Sequence, residues 1–122
     1  MKNPDNMNER ISNMTFATIY SCYLKKVEKK GRTQKELNQI IEWLTGFDEK
    51  KIDEIINENL NFKAFFEKAT LNPNAHLIQG TICGIRVEEI ENPLTQKVRY
   101  LDKLVDELAQ GKPLEKIFRL KS

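Results

Sequence analysis

The chain has little of what usually announces a chemistry. Histidine occurs once, at His76, and cysteine twice, at Cys22 and Cys83. One histidine and two distant cysteines fit no metal or redox spacing, so no metal site, no catalytic residue and no cofactor are expected. No apolar run approaches the roughly 18–20 residues that span a bilayer, which argues against a membrane segment. The first ten residues are polar and hold no h-region, so no signal peptide is expected. The setting that follows is cytoplasmic and reducing, with both cysteines as free thiols. Charge of one sign is missing too. Twenty Lys+Arg face eighteen Asp+Glu, a formal net charge of +2, where a dedicated nucleic-acid binder shows a one-sided basic excess.

What is present is helix punctuation. Phe16, Ile19, Tyr20, Tyr23, Leu24 and Val27 recur at steps of three and four, one stripe of a first helix between Thr15 and Gly31. Lys25, Lys26, Lys29 and Lys30 load its last turns, where cations complement the helix dipole. Thr33-Gln34-Lys35-Glu36 has the pattern of a capping box. Behind it Leu37, Ile40, Ile41 and Leu44 form a buried stripe, with Trp43 at its edge and Gly46 as the stop. Asp48 caps a third helix and Asn61 a fourth; the pairs Phe47/Ile52 and Leu60/Phe65 have the spacing of hydrophobic staples. Asn72-Pro73 and Asn92-Pro93 read as helix openers, asparagine at the cap and proline in the first turn. From Pro93, the stripe Leu94, Val98, Leu101, Val105, Leu108 predicts the cleanest helix, ended by Gly111. Pro113 starts a last short piece with Leu114, Ile117 and Phe118.

Residues 75–90 are ambiguous. Ile78, Ile82 and Ile85 fit a helix, whereas Ile85-Arg86-Val87 alternates like a strand, and Gly80 and Gly84 each cost a helix roughly 1 kcal/mol relative to Ala. A helix is expected, since an isolated strand would lack a partner. The whole reads as an all-α fold: a single compact bundle of five or six short helices over 13–122, behind a flexible tail at 1–12.

Five blocks carry a resemblance. They are Met14-Thr15-Phe16-Ala17, Lys30-Gly31-Arg32-Thr33, Trp43-Leu44-Thr45-Gly46, the run from Cys83 to Ile90, and Arg99-Tyr100-Leu101-Asp102-Lys103-Leu104. Together, in this order, they resemble a small bacterial family, domain-of-unknown-function family 2200, over about Met7 to Phe118. Ser21 stands where many members have proline, and 1–6 resembles an extension. The resemblance implies a single-domain bacterial protein without an assigned activity, and it brings no catalytic residues.

The best candidate for a site is the polar density from Asn72 to Lys103, with His76, Arg86, Arg99 and Tyr100 as the candidate anion- or ligand-binding residues. Two guanidinium groups brought together could take a carboxylate or phosphate bidentately. The favoured alternative is an interhelical salt-bridge network of Arg86, Glu89, Arg99 and Asp102. Cys83 as a nucleophile would need a base, and His76 lies about 10 Å along a helix from it. His76, Glu88 and Glu89 fit no metal spacing. A helix-turn-helix around Gly46 would read DNA with an acidic face (Asp48, Glu49, Asp53, Glu54, Glu58), which repels phosphate. A weaker nucleic-acid reading rests on Lys25, Lys26, Lys29, Lys30 and Arg32. The expected function is a protein-interaction or regulatory module acting on a partner protein or by self-association. The alternative is a small-molecule or phosphate-binding protein, with enzymatic activity left open, using the Arg86/Arg99/Tyr100 region.

Overall fold

The first five helices each begin where a side chain accepts from the first turn. Thr15 accepts from the Thr18 amide and opens α1, Phe16–Lys29. Thr33 and Glu36 form the complete reciprocal capping box of α2, Gln34–Thr45, which stops at Gly46. Asp48 opens α3, Glu49–Asn57, and Asn61 opens α4, Phe62–Lys68. Asn92 accepts from the Thr95 amide, with Pro93 in the first turn, and opens α5, Pro93–Ala109. Pro113 precedes α6, Leu114–Ile117. The computed structural model describes residues 13–82 and 84–119. The expected tail at 1–12 and the thiol of Cys83 lie outside these residues. Among them there are six α-helices, as the punctuation predicts.

The core is the meeting of these stripes. Phe16, Val27, Leu37, Ile40, Ile41, Leu44, Phe65, Leu101, Leu104, Val105 and Leu108 are fully buried. α5 packs against α1, α2, α4 and α6, while α3 lies against α1 and α2. Phe16 stacks on Phe65 with ring centroids 4.2 Å apart and planes 8° apart. Two helix starts are tied together next to that stack: the Phe16 amide donates to the Leu60 carbonyl and the Phe62 amide to the Met14 carbonyl, at 2.8 and 2.9 Å. The end of α2 is closed from outside. The amides of Thr70 and Asn72 donate to the carbonyls of Thr45 and Leu44, and the Asn72 side chain donates to the Trp43 carbonyl.

Residues 75–90 are not a helix. They form a 3-10 turn at Ala75–Leu77, strands β1 (Thr81–Ile82) and β2 (Ile85–Arg86), and a second 3-10 turn at Val87–Glu89. β1 and β2 pair antiparallel, Thr81 with Arg86 and Ile82 with Ile85. The strand's missing partner is therefore the strand four residues earlier. The two glycines decide the matter physically: Gly80 sits at φ 117° and Gly84 at φ 79°, values a right-handed helix excludes and glycine adopts without a Cβ clash. Asn72-Pro73 opens no α-helix either; the Asn72 side chain accepts from the Asn74 amide at 2.8 Å and only the 3-10 turn follows.

Arg32, entered above among the nucleic-acid candidates, is a structural clamp. Its Nε and Nη2 bind the Glu36 carboxylate, Nη2 at 2.6 Å, and its Nη1 donates to the carbonyls of Leu108 and Lys112 at the end of α5. That hydrogen bond, with help from the Thr33 amide, holds the Glu36 carboxyl down at about 2 from an ordinary 4.5. A carboxyl lowered by folding stabilises the fold fully above its ordinary value and ceases to do so as pH falls through its folded value. Wild type should therefore be more stable than Glu36→Gln at neutral pH, with the gap closing between about pH 4.5 and 2. Urea midpoints measured across that range check this; a gap independent of pH would contradict it.

Candidate functional site

The 81–86 hairpin lies along α5 and is fastened to it by polar contacts. The Gln96 side chain donates to the Val87 carbonyl at 3.1 Å, and Lys103 Nζ to the Thr81 carbonyl at 3.3 Å. Within the excursion, the Val87 amide donates to the Gly80 carbonyl and the Gly80 amide to Glu88 Oε1, at 2.9 and 3.1 Å. That amide holds the exposed Glu88 carboxyl below its usual value. Space at Gly80 is tight as well: a Cβ there would lie 3.2 Å from Lys103 Cε. The lysine stem thus crosses the glycine to reach β1.

Under the hairpin, α5 meets α1. The Tyr23 hydroxyl donates to Asp102, whose other oxygen accepts from Arg99 Nη1 at 2.8 Å. Burial first, and the Asp102 charge second, push the Tyr23 phenol well above its ordinary value. It stays a hydrogen-bond donor at any physiological pH and cannot serve as a base. One turn on, Lys26 pairs with Asp106 at 3.2 Å. Cys22, Tyr23, Lys26, Ile82 and Asp102 line a cavity of about 250 Å³ at this seam. Cys22 is an exposed free thiol. Among the described residues, no group of three or more His, Cys, Asp or Glu could hold a metal ion.

The four residues singled out from the sequence are dispersed. Arg86 stands on the exposed hairpin and pairs with Glu89 at 3.5 Å, the two side chains 66% and 64% exposed. Arg99 pairs with Asp102 with both side chains 19% exposed. Tyr100, the next residue on α5, is buried, and burial raises its phenol. His76 is exposed, and its Nδ1 donates to the Pro73 carbonyl at 2.8 Å, closing its own turn. The two guanidinium groups therefore take separate carboxylates, each three residues away in sequence. The interhelical network of Arg86, Glu89, Arg99 and Asp102 is replaced by two local pairs. The helix-to-helix link runs instead from Asp102 to Tyr23.

Other polar groups went unnoticed in the sequence. Asn38 lies within the buried face of α2; it accepts from the Tyr20 hydroxyl at 2.5 Å and donates to Glu49 at 3.1 Å. It forms the floor of a larger polar groove of about 490 Å³, walled by Lys35, Gln39, Glu42, Asp48, Glu49 and Lys50. Glu107 is buried on α5 and paired with Arg119. The only sequence signal for either was position: a polar residue beside Leu37 and Ile40, and another between Val105 and Leu108.

The chain matches the family described as "Uncharacterized protein conserved in bacteria (DUF2200)" over residues 10–119. It belongs to that bacterial family. A solved relative of the same fold, the crystal structure of the uncharacterized protein SP1917, superposes with a TM-score of 0.87 at 36% identity. That match covers 93% of this chain and 97% of that one. No curated protein matches the chain. No helix among the described residues is long and apolar enough to cross a membrane.

The two carboxylate pairs predict unequal costs. Asp102→Ala leaves the buried Tyr23 hydroxyl without its acceptor and should cost about 1–3 kcal/mol. Arg86→Ala breaks an exposed pair whose carboxylate, Glu89, stands in water, and should cost less than about 1 kcal/mol. Denaturant unfolding of both variants measures the order, and a costlier Arg86→Ala would reverse this account.

Proposed function

We propose that the protein is an interaction module, in a cytoplasmic setting, whose contact face is the β1–β2 hairpin with the residues flanking it. The observation that supports this is Ile85. It is 40% exposed, an apolar side chain presented by β2 next to the charged and solvated Arg86 and Glu89. Scattered apolar residues on a surface are ordinary. This one, however, belongs to an excursion that interrupts an otherwise helical chain and is held against α5 by Gln96 and Lys103. A two-stranded sheet also ends in backbone edges, and an extended partner segment can add to such an edge. The module reading is preferred to the binding-protein alternative at Arg86, Arg99 and Tyr100 because each arginine already holds a carboxylate and the tyrosine is buried.

Ile85→Asp combined with Arg86→Glu should leave the far-UV circular dichroism unchanged, because both side chains are exposed and surface substitutions usually cost no more than about 0.5 kcal/mol. Immobilised wild type should retain from its own bacterial extract a defined set of proteins that the double variant loses. The same two proteins are then screened by thermal shift against phosphates and small carboxylates. A compound that raises the wild-type midpoint and not the variant's, with no difference in retained proteins, overturns the module reading in favour of a ligand site.

A further inference from the structure

The groove of about 490 Å³ between α2 and the start of α3 is lined by none of the hairpin residues. Its floor is a chain of polar contacts. The Gln34 side chain donates to the Tyr20 hydroxyl at 3.1 Å, that hydroxyl donates to Asn38 Oδ1, and Asn38 Nδ2 donates to Glu49 Oε1 at 3.1 Å. Tyr20 and Asn38 are 6% and 8% exposed. Burial above all raises the Tyr20 phenol, so it stays a donor and fixes which way the Asn38 amide faces. A leucine would fill that place on the buried face of α2 without needing hydrogen bonds, whereas a buried amide must be matched. Residues that do not suit the fold alone gather at functional sites. An amide has two N–H donors, and one of those of Asn38 has no acceptor among the described residues.

The walls are ordered by charge. Lys35, Asn38, Gln39 and Glu42 recur at steps of three and four, so they share one face of α2. Lys35 and Glu42, seven residues apart, stand about 10 Å from one another along the axis, with the two amides between them. Glu49 lies across from Asn38, and Asp48 precedes it. At other seams the molecule matches its charges: Lys26 with Asp106, Arg99 with Asp102, Arg119 with Glu107. Here Lys35, Lys50 and three carboxylates line one groove, and among the described residues none of the five is in an ion pair. We propose that the groove binds a zwitterionic peptide of two or three residues by its free ends. Its ammonium meets the carboxylates of Glu42 and Glu49, its carboxylate meets Lys35, and a peptide group between them meets Asn38 and Gln39. The length follows from reach, since three extended residues span roughly 10 Å. The class follows from the order of the groups. A simple amine would leave Lys35 and both amides unmatched, and a phosphate would face three carboxylates. Glu49 is already held in place by Asn38, which lowers the entropy lost on binding. The walls belong to α2 and α3 while the hairpin lies on α5, so this site stands or falls apart from the hairpin reading.

The test is isothermal titration of the full chain with trialanine, whose side chains are only methyl groups. A saturable heat is expected. N-acetyl-trialanine, which lacks the ammonium, and trialanine amide, which lacks the carboxylate, should each bind at least about tenfold more weakly. Two variants approach the same contacts from the protein, at positions that are all exposed. Glu42→Gln with Glu49→Gln removes two charges and keeps an acceptor for Asn38; Lys35→Gln removes the opposite charge. Each should bind trialanine about tenfold more weakly. Acetylating the peptide should cost nothing further on the first variant, nor amidating it on the second, because the contact is already gone. Should a variant fail to fold, the blocked peptides test the same contacts on the unaltered protein. No heat with trialanine overturns the proposal, and so does a blocked peptide that binds as tightly as the free one. Binding that survives both variants would put the peptide elsewhere and overturn it too. Putrescine binding where trialanine does not would leave a cation site and reject the peptide.

Discussion

Leu101, Leu104, Val105 and Leu108 are wholly out of water on one side of α5, and the remaining elements are where they are because they keep that stripe dry. At seventeen residues α5 is the longest helix among the described residues. The helices around it have from four to fourteen residues. Isolated helices of that length are marginal in water, since nucleation is costly and few hydrogen bonds follow it. Their stability comes from burying one face. α1, α2 and α4 each turn that face to α5 or to the phenylalanine cluster beside it.

α5 also organises the polar connections. Asp102 holds Tyr23 of α1, Asp106 holds Lys26 of the same helix, and Glu107 holds Arg119 of the 114–119 stretch. The Leu108 carbonyl in its last turn, and the Lys112 carbonyl just beyond its end, accept from Arg32 of the loop between α1 and α2. These links differ in solvent exposure, and so in weight. Lys26 with Asp106 is accessible to water and salt and contributes little. The Tyr23 and Glu107 links are buried, so breaking either strands a polar group where water cannot replace the partner. They fix which faces meet more than they add to stability.

Much of the fold could be read locally because helix termini are local chemistry. Thr15, Thr33, Asp48, Asn61 and Asn92 all cap as their neighbours in sequence suggest. The 75–90 stretch misled for the same reason. Ile78, Ile82 and Ile85 have helical spacing, yet Ile78 is fully buried, Ile82 half-buried and Ile85 exposed, which no single helix face would produce. Strands of two residues are too short to show alternation. The site was less legible than the fold because its decisive pairs are not local. Tyr23 and Asp102 are 79 positions apart, and a sequence gives the residue types without the register that joins them. Arg86 and Arg99 looked convergent only while both were placed on helices.

On this account the chain has a central helix, α5, and two peripheral attachments, the hairpin and the 114–119 stretch, that should open before it does. Native-state hydrogen exchange tests that most directly. Amides from Val98 to Leu108 should exchange only through global unfolding, with a denaturant dependence equal to that of the whole molecule. Amides of Ile82, Ile85, Val87, Ile117 and Phe118 should exchange through smaller openings that expose less surface. If the α5 amides open as readily as the hairpin, or if the hairpin and the 114–119 stretch open only with the whole molecule, α5 is not the element on which the fold depends.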